Sequence, residues 1–321
     1  MSQSFPALSV VVLNFRTPEQ TVRALNSVKI AADHIETEEI VVDNASRDDS
    51  PEIIRSARPG ARVIELHENT GFAFGMNAGA REAKGEYILL LNSDIEAAAG
   101  SVSALVNYMR ANPDVGLVAP VLLNEKGGVS RTLLVQPTLW RMLVPAIGKM
   151  RYKQWQRRIG VEPLDVEATE GAAFVVSRKA VDRAGLLDED FFFYHEIVEW
   201  CMRIRDNGLR IVVLPDAKMM HLCGGSTGKV RVAARIELKR SEYQLLRKRL
   251  GACAGAIAVL RDLACEGLRV LSYTLLVLLS LGMWSRMRIK LVSHFAVFRW
   301  IASGMPARNT MGYKKAFGGW D

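Results

Sequence analysis

The sequence predicts an α/β protein: a mostly parallel, Rossmann-like sheet flanked by helices, followed by a helical extension toward the C-terminus. Three observations carry this prediction. Over the first hundred residues, short β-branched runs alternate with amphipathic stretches, the rhythm of repeated strand–helix–strand units. The strand-like runs are apolar nearly throughout, as in strands buried on both faces. From residue 229 onward both the charge balance and the apolar patterning change.

Taken in order, Leu8 to Leu13 reads as a first buried strand. Pro18 then opens a helix to about Ala31, with Val22, Leu25 and Val28 at helical spacing. Glu39 to Val42 is a second strand ending in Asp43, and Asp48 to Ala57 a second helix. Ala61 to Leu66, Phe72 to Ala83 and Tyr87 to Leu91 continue the alternation, the last running into Asn92-Ser93-Asp94. A helix over Ser101 to Arg110 and a strand over Gly116 to Leu122 follow. Asn124 to Glu167 reads as irregular, with Trp140 and Trp155 among Arg151, Lys153, Arg157 and Arg158. It is either a long surface connection or a loop over a substrate. Regular structure resumes with Gly171 to Ser177, and Leu209 to Leu214 is a strand closed by a turn at Pro215-Asp216.

A parallel sheet of this kind binds ligands outside the carboxyl ends of its strands. Asn14, Asp43 and Asp94 all end such runs and converge there. Asp43 leads into Asn44-Ala45-Ser46, where a carboxylate can accept hydrogen bonds from a base or ribose, although the same residues serve as turn and cap chemistry. Gly71, Gly75 and Gly79 form one helical stripe suited to close packing or to a ligand. No GxGxxG loop is present, which removes the dinucleotide-binding reading. Asp94 suits a hard divalent cation that shares phosphate oxygens with a leaving nucleoside diphosphate. Within Leu187 to Cys201, aromatics precede Glu196 and Glu199, which share a helical face and suit a general base beside a sugar. Glu199 has a second use, as an ion pair with Arg203 one turn on. His221 precedes Leu222 to Ser226, a Gly-containing stretch compatible with a ligand or phosphate contact.

The 321 residues carry a net charge of +8, unevenly placed. From Lys229 to Asp321 there are 17 Lys and Arg against 5 Asp and Glu, a net of +12, and the remainder nets −4. Val270 to Trp284 has no charged residue, and Leu291 to Met305 has only Arg299. Both runs fall short of the roughly 20 residues of a spanning helix. Arg261, Arg269, Arg286, Arg288 and Lys290 flank them. Amphipathic or shallowly embedded helices on an anionic membrane surface fit this pattern, rather than nucleic acid; a buried hairpin and a true span are the alternatives. The expected boundary separates a domain over 1–228 from an extension over 229–321. Cys201, Cys223, Cys253 and Cys265 are far apart with no CxxC, and the N-terminal residues form no apolar leader, so reduced, buried thiols in the cytoplasm are expected.

In order along the chain stand Val41-Val42-Asp43-Asn44-Ala45-Ser46, then Asn69-Thr70-Gly71-Phe72-Ala73 with Gly75 and Asn77, then Leu90-Leu91-Asn92-Ser93-Asp94. Gly171-Ala172-Ala173, then Asp188-Glu189-Asp190-Phe191-Phe192 with Tyr194, and finally His221 with Gly224-Gly225-Ser226 complete the set. From about Leu8 to Gly251 this ordered set resembles the family 2 glycosyltransferases of the GT-A fold, and among them rhamnosyltransferase-like enzymes of bacterial surface polysaccharide synthesis. The resemblance implies that Asn14, Asp43, Asn44, Gly71, Phe72, Asn77, Asn92 and Asp94 bind a nucleotide-sugar donor. It implies that Asp94, last residue of a DxD-like motif whose first position is Asn92, holds Mg2+ or Mn2+ together with His221. Gly171, Ala172 and Trp200 fall on the acceptor side. Relatives carry an acid one place after Glu196 as the base, and this chain has Ile197 there, so Glu196 or Glu199 is left to act. The implied reaction is inverting transfer of a hexose, rhamnose from a dTDP donor being one case, to a lipid-linked glycan at the inner face of the cell membrane. Two readings compete with it: a catalytically silent relative that binds sugar nucleotide or glycan, and a nucleotidyltransferase, which lacks support because no basic Gly-rich phosphate loop is present.

Overall fold

The computed structural model describes residues 6–130, 132–138, 140–141, 144–222, 231–281, 283–307 and 310–311. Two compact units account for them: the first comprises residues 1–136, 144–191 and 196–225, and the second 137–143, 192–195 and 226–321.

The first unit opens with β1 (Leu8–Asn14), α1 (Pro18–Ala31), β2 (Thr37–Asp43), α2 (Ser50–Ala57), β3 (Arg62–Glu65), α3 (Gly71–Glu82) and β4 (Tyr87–Asn92). There follow β5 (Ile95–Ala97), α4 (Ser101–Ala111), β6 (Val115–Leu123), β7 (Leu133–Leu134), α5 (Pro145–Gln156), β8 (Leu164–Asp165) and β9 (Ala168–Thr169). It closes with β10 (Ala173–Ser177), α6 (Arg178–Ala184), α7 (Glu196–Asp206) and β11 (Arg210–His221). The main sheet runs β3-β2-β1-β4-β10-β6-β11-β5, with β8 also on β11. β1 to β4 pair in parallel and β11 is parallel to β6, whereas β10, β5 and β8 enter antiparallel. This is the mostly parallel, helix-flanked sheet that the sequence predicts.

Burial explains why the strand runs lack alternation. Val10, Val11 and Val12 of β1 and Leu89, Leu90 and Leu91 of β4 are all buried, because helices cover both faces. The α1 face that meets them is built from Thr21, Leu25 and Val28. α3 approaches β1 so closely that a Cβ at Gly75 would stand 2.6 Å from Leu13 Cδ1, and one at Gly79 would collide with Val11 and Val42. Those two glycines are packing residues.

Two local expectations change. Pro215-Asp216 does not end a strand: β11 continues to His221, and its pairing with β6 shifts register between Leu214 and Lys218. A bulge accommodates a proline that lacks a ladder donor. The stretch read as irregular contains α5, in which Trp155 is buried with the Arg151 guanidinium 4.8 Å over its ring, and β7, which pairs with β9.

The second unit contains α8 (Arg231–Leu250), α9 (Ala252–Leu279) and α10 (Ser285–Ala302). Its core joins Ile236, Tyr243 and Leu246 to Ala254, Ala258, Val297, Trp300 and Ile301, with Tyr243 and Trp300 stacked. Among the described residues no helix is long and apolar enough to cross a membrane. Of the cysteines, Cys201 is buried, which pushes its thiol up to about 12, Cys265 is half-buried and Cys253 is exposed; Cys223 lies outside the described residues. The expectation of uniformly buried thiols therefore fails at Cys253, which lies on the solvent side of α9 rather than in a core.

Candidate active site

Strand register brings three polar strand ends to one edge. Asn14 stands opposite Asp43 in the β1–β2 ladder, and Leu13 opposite Asn92 in β1–β4. Asn14 Nδ2 donates to Asp43 Oδ1 at 2.6 Å, and Ser46 donates to the same carboxylate through its backbone N–H at 2.9 Å and its hydroxyl at 2.5 Å. Asn14 Oδ1 accepts from Thr21. Asp43 is thus fixed by a fully buried network, with Ala45 and Arg47 in the left-handed region on either side of Ser46. Left-handed non-glycine residues are uncommon and concentrate where surrounding contacts over-determine the backbone. The exposed Arg16 is tied to this turn, its N–H donating to Ser46 Oγ and its Nε to Ser46 O. The Thr17 hydroxyl meets Ser93 Oγ at 2.9 Å, joining the turn after β1 to the one after β4.

Asn44 pins the start of α3. Its Nδ2 donates to Asn69 Oδ1 and Gly71 O, and its Oδ1 accepts from Thr70 N–H. Phe72 follows as a buried side chain. On the other side of β4, Asn92 N–H donates to Ala172 O, which sets Gly171 and Ala172 beside the Asn92-Ser93-Asp94 turn. A Cβ on Gly171 would lie 2.7 Å from Ile197 Cγ1 and 3.7 Å from Phe72 Cζ, so Ile197 and Phe72 both close over this glycine.

Asp94 and His221 meet because β5 pairs antiparallel with the end of β11, placing His221 opposite Ile95. Leu222 N–H donates to Asp94 O, and the side chains approach to 3.4 Å with 17 % and 15 % exposure. Burial alone would lower the His221 pKa, but the Asp94 carboxylate and Glu170 outweigh it and raise it. β11 continues through the bulge, and His221 lies seven residues beyond Leu214. An oxygen donor next to an imidazole, both reachable from solvent, fits Mg2+ or Mn2+ that completes its coordination with substrate phosphates. Among the described residues no group of three His, Cys, Asp or Glu side chains is arranged to hold a metal. A site here would therefore share its ion with the substrate.

Three expected site residues have other roles. Asn77 is buried and its amide braces the chain before α7, donating to Leu187 O and Glu189 and accepting from Leu187 N–H. Trp200 is 1 % exposed, donates to Gly185 O at 2.7 Å and packs edge-on against Phe174, so it is core and not acceptor surface. Glu199 is held by Arg203 Nε at 2.7 Å, and Arg203 also donates to Ala184 O and Leu186 O. A carboxylate committed to a guanidinium that ties α7 to the end of α6 serves as an anchor between the two helices. Glu196 stays at the first turn of α7, next to Ile197. Sequence reasoning missed Ser46, Thr17, Thr21 and Ser93. Ser46 and Ser93 stand inside the quoted motifs, whereas nothing in the sequence marks Thr17 or Thr21.

A model of the family described as glycosyl transferase family 2 matches residues 9–181, more than half the chain. An N-acetylglucosaminyl-diphospho-decaprenol L-rhamnosyltransferase of Mycobacterium tuberculosis is 25% identical over 240 residues, covering 69% of this chain and 78% of the relative. A low-salt glycan biosynthesis hexosyltransferase of Haloferax volcanii is 26% identical over 212 residues, covering 64% and 63%. Among solved structures, a mannosyltransferase of Pyrobaculum calidifontis in complex with GDP-Man and Mn2+ superimposes with TM-score 0.56 at 17% identity over 94% of this chain and 88% of that one, a likeness of fold. With its sequence matched from the first strand to α6, the chain belongs to glycosyl transferase family 2.

Proposed function

We propose that the chain moves a hexose from a nucleoside diphosphate sugar to a lipid-linked glycan, with inversion and with dependence on Mg2+ or Mn2+. The observation that carries this reading is the Asp94–His221 pair beside the Asn14–Asp43–Ser46 network at one sheet edge. The mycobacterial relative supports rhamnose as the sugar and a polyprenyl diphosphate glycan as the acceptor. A cytoplasmic position at the inner membrane face follows from such an acceptor.

In this reading the Asp43 turn and the Asn44-braced start of α3 receive the nucleoside, and Arg16 lies over the diphosphate path. The metal, held by Asp94 and His221 when bound, supplies positive charge to the departing diphosphate. Gly171 and Ala172 line the acceptor approach. Glu196 accepts the proton of the acceptor hydroxyl as that oxygen attacks the anomeric carbon, and the sugar–phosphate bond breaks with its electron pair leaving on the nucleoside diphosphate. One in-line displacement inverts the anomeric centre. Glu196→Gln is expected to lower kcat by about 10²–10⁴-fold with donor affinity retained. The direct test supplies dTDP-rhamnose and other nucleotide sugars with an N-acetylglucosaminyl-diphosphate lipid and reads glycosylated lipid by mass spectrometry and its anomeric configuration by NMR. Product of the same configuration as the donor would overturn inversion.

A further inference from the structure

Within the second unit, α9 outruns the helix that covers it. α8 and α9 run antiparallel, with Arg247 against Gly255 at one end and Arg235 bonded to Glu266 at the other. Past that level α9 continues to Leu279 with, among the described residues, α10 beside it, Gly267 meeting Phe298 and Tyr273 stacking on His294. Along the side of α9 turned away from these contacts, Ile257, Leu260, Leu268, Leu271, Leu275 and Leu278 recur at helical spacing and are 44–68 % exposed. At 1.5 Å per residue that stripe is about 33 Å long. Leu281, Met283 and Trp284 extend it through the turn into α10. An exposed apolar strip of this length marks an interaction surface.

Charge selects the partner. From residue 229 onward the chain nets +12, and each acid described there is turned inward onto a cation. Glu237 pairs with Arg240, Glu242 and Asp262 with Lys239 and Arg261, and Glu266 with Arg235, Arg269 and His294. Arg286, Arg288, Lys290 and Arg299 of α10 are exposed. A second copy would bring like charge to like charge, whereas an anionic lipid surface offers acyl chains to the strip and phosphates to the cations. We infer that the outer faces of α9 and α10 dock on one leaflet of an anionic bilayer, α9 lying along the interface with its leucine stripe among the acyl chains. This deepens the lipid-linked acceptor reading above and rests on it for its purpose.

The test uses the full chain, sedimented with vesicles of phosphatidylcholine alone and with phosphatidylglycerol added, at low and high salt. The mass without vesicles and nucleoside diphosphate release are measured on the same samples. Binding is expected to be roughly tenfold or more stronger on the anionic vesicles and to weaken at high salt. The pair Leu271→Glu and Leu275→Glu should reduce it by roughly tenfold or more, and Arg286→Gln with Arg288→Gln and Lys290→Gln severalfold, at unchanged melting temperature because all these positions are exposed. Equal binding to both vesicle types, no binding, or indifference to both variant sets would overturn the inference. So would a stable dimer that Leu271→Glu and Leu275→Glu dissolve, which would assign the strip to a second copy. Vesicle binding lost with diphosphate release intact refutes this inference alone; the reverse pattern refutes only the enzyme.

Discussion

Asp94 reaches the candidate site through the strand pairing that sets it beside His221. Asp94→Ala is expected to abolish metal-stimulated donor binding in calorimetry; donor affinity that still rises with Mn2+ would count against the assignment. Asn14→Ala removes the donor to Asp43 and the acceptor for Thr21 within a fully buried network, an expected loss of about 1–3 kcal/mol in thermal denaturation. Glu199→Gln should act on melting temperature through Arg203 and leave kcat close to wild type, the opposite of Glu196→Gln. Ile197→Asp puts a carboxylate at a 3 % exposed position against Gly171, so destabilisation rather than faster turnover is expected. Asp43, Asn92 and Asp94 were legible in the sequence because each polar residue interrupts an apolar run at a strand end. Asn77 and Trp200 are both buried, which motif membership does not report. Their side chains face Leu187 and Gly185, contacts made across 110 and 15 residues of chain.

At the level of elements, the parallel half of the sheet was legible because doubly buried strands need uninterrupted apolar residues. The insertion of β10 between β4 and β6, and the bulge at Pro215-Asp216, were not. Strand partners and register depend on neighbours distant in the chain, and a Pro-Asp pair has the same composition in a turn and in a bulge. β11 nevertheless runs on past the bulge to His221, which it sets beside Asp94. The contact of α3 with β1 gives a sharper prediction. Gly79→Ala forces a methyl into Val11, a short β-branched side chain with little freedom to move, and should lower stability by about 1–3 kcal/mol in chemical denaturation. An unchanged midpoint would mean that α3 packs less closely than described.

For the whole molecule, two units have different chemistry: a sheet whose edge gathers Asn14, Asp43, Asn92 and Asp94, and helices whose acids are paired with cations while Arg286, Arg288, Lys290 and Arg299 stay exposed. Burial alone would raise the pKa values of Glu242, Asp262 and Glu266, but Lys239, Arg261, Arg235, Arg269 and His294 overcome it and hold all three below the usual carboxylate range. Lys239 is raised against its own burial by Glu242 and Asp262. Depressed carboxylates stabilise the fold above their unfolded values of about 4 and lose that contribution as pH falls through the lower folded values. The raised lysine contributes below about 10.4 and loses its contribution as pH rises past its folded value. Helical content followed by circular dichroism should therefore melt most readily at the acid extreme, with a second decline at strongly alkaline pH. Nucleoside diphosphate release from a panel of nucleotide sugars, with Mn2+ or EDTA, by the wild-type chain and by Asp94→Ala decides whether the Asp94 site works in metal-assisted glycosyl transfer. Release is expected from one donor class, to need the metal and to disappear in the variant. No metal-dependent release from any sugar nucleotide, or equal release by Asp94→Ala, would contradict it.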